Sequence, residues 1–235
     1  MSASSTQRPR LDIGGSTPLL VRQETFTRLH LGKRFLFASD LHLRKGVAAR
    51  VIDELVRLAA DARPELILLG GDLIDWHSGL EPLRELIHQM SQTADVGAVS
   101  GNHDRWVGVS NVRKAVLNGG GYWLEDQPFR WDADAVIYGR TSQQKIPARC
   151  HILCTHGPRP PEIPGAFDLI LGGHLHGGQF VFFERGGRFY PGAFAYRWNG
   201  LRFEENGSTL LVSRGVRDTV PLRWNCPREV IVVDL

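Results

Sequence analysis

The chain has 235 residues, 42% of them hydrophobic and 23% charged, which suits one sizeable core and is short for two. A formal net charge of +3 is too small to argue for a nucleic-acid-binding protein, and no apolar run approaches the roughly 18 residues of a membrane span. Three cysteines cannot make an even disulfide framework and suit a reducing compartment.

The chain opens on "MSASSTQRPRLDIGGSTP", which lacks the apolar stretch of an export signal, so a cytoplasmic location is expected. Residues 1–12, polar and Pro-containing, are expected to be a disordered arm, and residues 13–235 one domain. The first fifty residues are basic, and a solvated arm explains this as well as an anionic partner does. "RFLFASD" predicts a buried strand. "VAARVIDELVRLAADA" carries Val47, Val51, Leu55, Leu58 and Ala59 at helical spacing, and "PELILLGGD" is the next strand. "LEPLRELIHQM" predicts a helix, "DVGAVSGNHD" an extended run, and "VSNVRKAVLNGGG" a helix stopped by glycines. The remainder is strand-rich: "AVIYGR", "HILCTH", "FDLILGGH", "TLLVSRG" and "REVIVVDL". Cys150 and Cys154 fall in one such apolar run and are expected to be buried free thiols. Alternating strands and helices followed by a strand-rich half predict an α/β sandwich of the four-layer type around central mixed β-sheets.

The polar clusters "SDLHL", "GGDLID", "GNHD", "THGP" and "GGHLHGG" each follow an apolar, strand-like run. In open α/β sheets ligands bind beyond the carboxyl ends of strands, so the five are expected to converge. They supply Asp40, His42, Asp72, Asn102, His156, His174 and His176, a mixed oxygen and nitrogen set suited to borderline divalent metals such as Mn, Fe or Zn. Residues two apart on an extended chain point to one side, so Asp40 and His42 are expected to reach one ion. His174 and His176 could address one ion each if the loop turns between them.

"DLH", "GDLID", "GNHD", "TH" and "GHLH", in this order over residues 36–180, resemble the five motifs of the calcineurin-like metallophosphoesterases. "GHLHGGQ" with the tail "RGVRDTVPLRWNCPREVIVVDL" is similar to the bacterial YkuE/YaeI-like branch, from which the chain departs at Leu175 and in its start. The resemblance implies one ion held by Asp40, His42, Asp72 and His176, and a second by Asp72, Asn102, His156 and His174. Asp72 would bridge them, and a hydroxide shared between the ions would attack the phosphorus. Two ions about 3.5–4 Å apart can clamp the attacking and leaving oxygens. It also implies that His103 is not a ligand but stabilises the phosphoryl charge or protonates the leaving oxygen, with Asp104 accepting a hydrogen bond from its other nitrogen. Asp75 is expected to fix the turn that aims Asp72.

Arg44, Lys45, Arg105, Trp106, Arg159 and Trp76 flank the motifs and are candidates for holding the rest of a substrate. The short segments between motifs leave no room for a large cap, which favours a phosphodiester over a small monoester. The expected partner is thus a small-molecule phosphate ester or a lipid headgroup. Peripheral membrane contact stays open, and a nucleic acid is not expected. The alternatives are a UDP-2,3-diacylglucosamine-type pyrophosphatase and, from another class, a non-catalytic metal-binding scaffold such as the retromer subunit of this fold.

Overall fold

The computed structural model describes residues 10–163 and 165–235. Two six-stranded mixed sheets form its centre. The first runs in the spatial order Leu20–Thr25, Glu229–Asp234, Arg34–Ala38, Leu66–Gly70, Asp95–Val99, Tyr122–Trp123. The second runs Arg202–Glu205, Ser208–Val212, Leu169–Gly172, Cys150–Cys154, Ala135–Tyr138, Phe129–Arg130.

Strand alternation sorts the core into layers. Leu36, Ala38, Ile67, Leu69, Val230 and Val232 face three helices, α1 (Ala48–Ala62), α2 (Leu80–Met90) and, numbered in chain order after a short α3 (Asn102–Val107), α4 (Val109–Asn118). Their neighbours Phe35, Phe37, Leu66, Leu68, Ile231 and Val233 point the other way, onto Ile152, Cys154, Leu169 and Leu171 of the second sheet. Both faces are covered, which is why "LILLG" is apolar throughout rather than alternating. The outer face of the second sheet, Tyr138, Leu153, Ile170 and Leu210, packs against Phe167, Ile146 and Trp198, so loop segments rather than helices close that side. α1 buries Val51, Ile52, Leu55 and Ala59 and stops at Arg63, which is left-handed (φ 50°) and donates its N–H to Ala59 O just before Pro64.

Strands Arg34–Ala38, Leu66–Gly70 and Asp95–Val99 are parallel, as are Cys150–Cys154 and Leu169–Gly172 in the other sheet. The five motifs therefore follow the carboxyl ends of five parallel strands. Cys150 and Cys154 are buried free thiols, and burial pushes the Cys150 thiol up to about 12.

Two expectations need correction. The predicted arm is too long: residues 1–9 lie outside the described residues, but Leu11–Ile13 pairs antiparallel with Leu222–Trp224. Asp12 is buried, accepting from Ser16 N (2.8 Å), Thr17 Oγ1 (2.6 Å) and Arg228 Nε (3.2 Å). Second, "GNHD" does not stay extended, because Asn102 starts α3 immediately after Gly101.

Candidate metal centre

The loops after Arg34–Ala38 and Leu66–Gly70 stay hydrogen-bonded after the strands end: Asp40 N donates to Gly71 O, His42 N to Asp72 O and Leu43 N to Leu73 O, each at 3.0 Å. This happens with the backbone twisted out of extended form. Asp40 (φ 55°), His42 (45°), Asp72 (48°), His174 (70°) and His176 (49°) are all left-handed, half of the ten non-glycine residues in that region among those described. Such conformations are costly and tend to gather at functional sites. Asp40 and His42 thus share one side of their loop for a different reason from the expected one, the left-handed turns replacing extended alternation.

Asp40, His42 and His176 bring one ligand atom each to within 4.8 Å of one another. Asp40 is fully buried and accepts from Ser39 Oγ (2.6 Å) and from His174 N (3.1 Å to both oxygens). His42 donates Nδ1–H to Asp75 Oδ1 at 2.6 Å, which leaves Nε2 buried with no hydrogen-bond partner among the described residues. His176 pairs Nδ1 with Asp218 Oδ1 (2.9 Å) and carries Nε2 3.6 Å from Asp40 Oδ1. Burial works against protonation of His176, but Asp40 and Asp218 outweigh it and raise its pKa. Gly173 has no space for a side chain, since a Cβ would run into Ser39 and the Asp40 carboxylate.

Asp72, His156 and His174 form a second group within the same distance limit. His156 bonds Gly70 O through Nδ1 (3.0 Å), while its Nε2 lies 2.9 Å from Asn102 Oδ1, 3.1 Å from His174 Nδ1 and 3.4 Å from Asp72 Oδ2. Burial opposes charge on both Asp72 and His156, yet their mutual attraction wins, holding Asp72 at about 2 and raising His156 to about 9. His174 is lowered, by burial first and by the neighbouring His156 charge. The orphaned His42 nitrogen and the inward-facing atoms of the second group fit divalent cations of the borderline kind, with no thiolate among them.

His103, expected to lean on Asp104, instead places Nδ1 3.0 Å from Asp75 Oδ1, the oxygen that also holds His42. Asp104 is fully buried and accepts from Gly101 N (2.7 Å), Leu73 N (3.0 Å) and Ile74 N (3.1 Å). Burial pushes its carboxyl up to about 6 against those three donors. Asp104 therefore fixes the turn after Asp72, and Asp75 supports the histidines, the reverse of the roles expected. His103 N donates to Asp72 Oδ1 at 2.8 Å, tying α3 to the same turn.

The substrate candidates do not share one pocket. Arg105 lines a cleft of about 400 Å³ with Asn102, Glu125, Arg140, His156 and His174. Arg159 lines a second, of about 550 Å³, with His174, Leu175, Tyr196 and Trp198. Trp106 is exposed, its ring 4.2 Å from that of His103. Arg44 lines neither cleft and lies 3.7 Å from Asp75 Oδ2. Trp76 is exposed, and Lys45 shows only a backbone contact to Ser78 Oγ.

Sequence reasoning missed Ser39, Asp218 and Arg223. Arg223 is 1% exposed and grips Asp218 with Nε (2.6 Å) and Nη2 (2.7 Å), which aims Asp218 at His176. Val216 N and Arg217 N donate to Ser39 O and Asp40 O, so the tail segment "RGVRD" clamps the first motif. Asp218 and the four arginines Arg214, Arg217, Arg223 and Arg228, set between the apolar runs of the tail, are the signal that marks it.

The family model "Calcineurin-like phosphoesterase" matches residues 33–205. The chain is 28% identical over 225 residues to "Phosphodiesterase YaeI" of Escherichia coli K12, covering 86% of this chain and 82% of that one. It is 24% identical over 228 residues to an uncharacterized metallophosphoesterase of Aquifex aeolicus, covering 86% and 84%. Among solved structures, a Pseudomonas putida nuclease designated MPE aligns with a TM-score of 0.42 at 18% identity, over 76% of this chain and 72% of that one. No helix among the described residues is long and apolar enough to cross a membrane.

Proposed function

We propose a reaction and a substrate class from one premise: the chain belongs to the calcineurin-like phosphoesterase family and is a hydrolase. The proposed reaction is hydrolysis of a phosphodiester at a centre of two divalent ions. The first would be held by Asp40, His42, Asp72 and His176, the second by Asp72, Asn102, His156 and His174. The observation that carries this is the buried, unpartnered Nε2 of His42 directed at Asp40 and His176, beside a second group of converging ligand atoms. Ions bound there would withdraw charge from the phosphoryl oxygens and lower the pKa of water, which is why no protein nucleophile is needed.

The chain's own residues supply positioning and protons. Asp75 Oδ1 engages Nδ1 of both His42 and His103, so the ligand face of His42 and the Nε2 edge of His103 are oriented by one carboxylate. His103 then stabilises the phosphoryl charge and returns a proton to the leaving oxygen. The two clefts share Gly157 and His174. The one with Arg105 and Arg140 suits a polar group and the one with Tyr196 and Trp198 an apolar or aromatic group. A diester with a substituent for each cleft fits better than a small monoester.

The test is manganese-dependent hydrolysis of bis-p-nitrophenyl phosphate against p-nitrophenyl phosphate, with metal analysis and Asp72→Asn as the control. Diester turnover that disappears in the variant is expected. Bound metal without turnover of either compound would favour the scaffold.

A further inference from the structure

Strands Val181–Arg185 and Arg188–Pro191 pair antiparallel into a two-stranded ribbon outside both central sheets, and the proposed reaction makes no use of it. Its base is anchored. Val181 and Phe189 are buried with Cys226, and Phe189 exchanges hydrogen bonds with Asn199, Phe189 N to Asn199 O and Asn199 Nδ2 to Phe189 O, each at 2.8 Å. Past Val181 every residue of the first strand is exposed. A Cβ at either turn glycine, Gly186 or Gly187, would meet nothing within 4 Å, so the tip stands clear of the protein. This projection is aromatic all the same. Phe182 is 67% exposed, Phe183 52% and the neighbouring Phe194 78%. Phe183 stacks on Tyr190 (4.8 Å, 6°), and Tyr190 meets Phe194 edge-on at 4.9 Å. Exposed apolar side chains scattered singly need no explanation, whereas a row of aromatic rings on a projection marks a contact surface.

The charge at the tip says what this surface meets. Arg185 and Arg188 stand directly opposite each other in the strand register, and like charges so placed repel. Neither has a carboxylate partner among the described residues: Arg188 Nε donates to Arg197 O (3.1 Å), and Glu184, the one carboxylate in the ribbon, forms an ion pair with neither arginine. Aromatic rings beside uncompensated arginines match the interface of an anionic bilayer, where rings settle at headgroup depth and each arginine adds attraction. A second copy of the chain would bring two more arginines to the contact, whereas such a bilayer supplies the missing negative charge. A single-stranded nucleic acid calls for charge along a groove rather than at a tip. We propose that the ribbon docks the protein on an anionic lipid bilayer, with Phe182, Phe183 and Phe194 entering the interface and Arg185 and Arg188 meeting lipid phosphates. Tyr196, two residues after Phe194, lines the cleft beside His174, so docking keeps that cleft near the bilayer. The docking does not depend on which ester is cleaved.

Flotation of the full chain with vesicles tests it, comparing phosphatidylcholine alone with an equal mixture of phosphatidylcholine and phosphatidylglycerol. Binding to the mixture, weaker on phosphatidylcholine and reduced by salt, is expected. Arg185→Gln should lower affinity for the mixture roughly fivefold, and Phe182→Ser combined with Phe183→Ser at least about tenfold. These three side chains are exposed, so both variants should melt as the parent does. A basic protein can meet anionic vesicles through any patch, so binding that is unchanged in the variants would overturn the proposal, as would a parent that does not float. A dimer, or capture of a single-stranded oligonucleotide, that the same substitutions abolish while vesicle binding stays would overturn it as well. Should the double variant not fold, Arg185→Gln decides alone, and unchanged affinity would count equally against the docking surface. Flotation needs no turnover, so a failed docking surface and a failed phosphodiesterase assay are separate results.

Discussion

The two ligand groups use the same residue types and are braced differently. In the first, Asp40 and His42 are buried, and both histidines rest on carboxylates, His42 on Asp75 and His176 on Asp218. In the second, His156 rests on the neutral carbonyl of Gly70, and His174 is exposed at the meeting point of the two clefts. A carboxylate behind an imidazole raises its basicity and fixes its orientation. In the proposed two-ion reading, the first group would keep its ion and the second would meet substrate.

The sharpest way to break this comparison is at Asp72, the residue proposed to serve both ions. Asp72→Asn should remove diester turnover altogether and cost the protein bound metal from both groups; loss from the second group alone would deny it a bridging role. His103→Ala should come next, lowering turnover by roughly 10²–10⁴ with metal content intact, and equal loss of both would make it structural. Asp218→Asn probes the bracing itself. It should weaken the tighter of two metal-binding steps about 10–100-fold and leave the weaker step alone, as calorimetric titration would resolve.

The convergence of these side chains was legible in the sequence, because polar residues placed at strand ends depend on local order: an apolar strand, then a polar cluster, five times over. The layers followed from the same alternation. The bracing was not legible, because it is made across the chain. Asp75 lies 28 residues from His103, and Asp218 lies 42 residues from His176, so nearness in sequence pointed to Asp104 instead. Asp104 reads as a partner for His103 only if the motif stays extended; once α3 begins at Asn102, its carboxylate turns to the amides of Gly101, Leu73 and Ile74. Arg10, Leu11 and Asp12 looked like an arm for a similar reason, since their partners are Asn225 for Arg10, Trp224 for Leu11, and Arg223 and Arg228 for Asp12, at the far end of the chain.

The smallest expected effect concerns pH. Without metal, His156 holds a proton up to about pH 9 in the folded chain, burial opposing this and the attraction of Asp72 overcoming it. A histidine whose pKa is raised by folding contributes stability that is fully present below about 6.5, its unfolded value, and is lost as pH rises through about 9. The raised pKa of His176 acts in the same direction. Chelated protein should therefore melt progressively lower between about pH 6.5 and 9. The change should be a few degrees, since 1 kcal/mol moves a domain of this size by roughly 2–4 °C. A divalent ion supplies the positive charge that the proton supplied, so metal-loaded protein should lose most of this slope. Asp72→Asn, which removes the attraction, should flatten it in the chelated sample too. Parallel slopes with and without metal would mean that the ions bind elsewhere and leave the His156 proton in place.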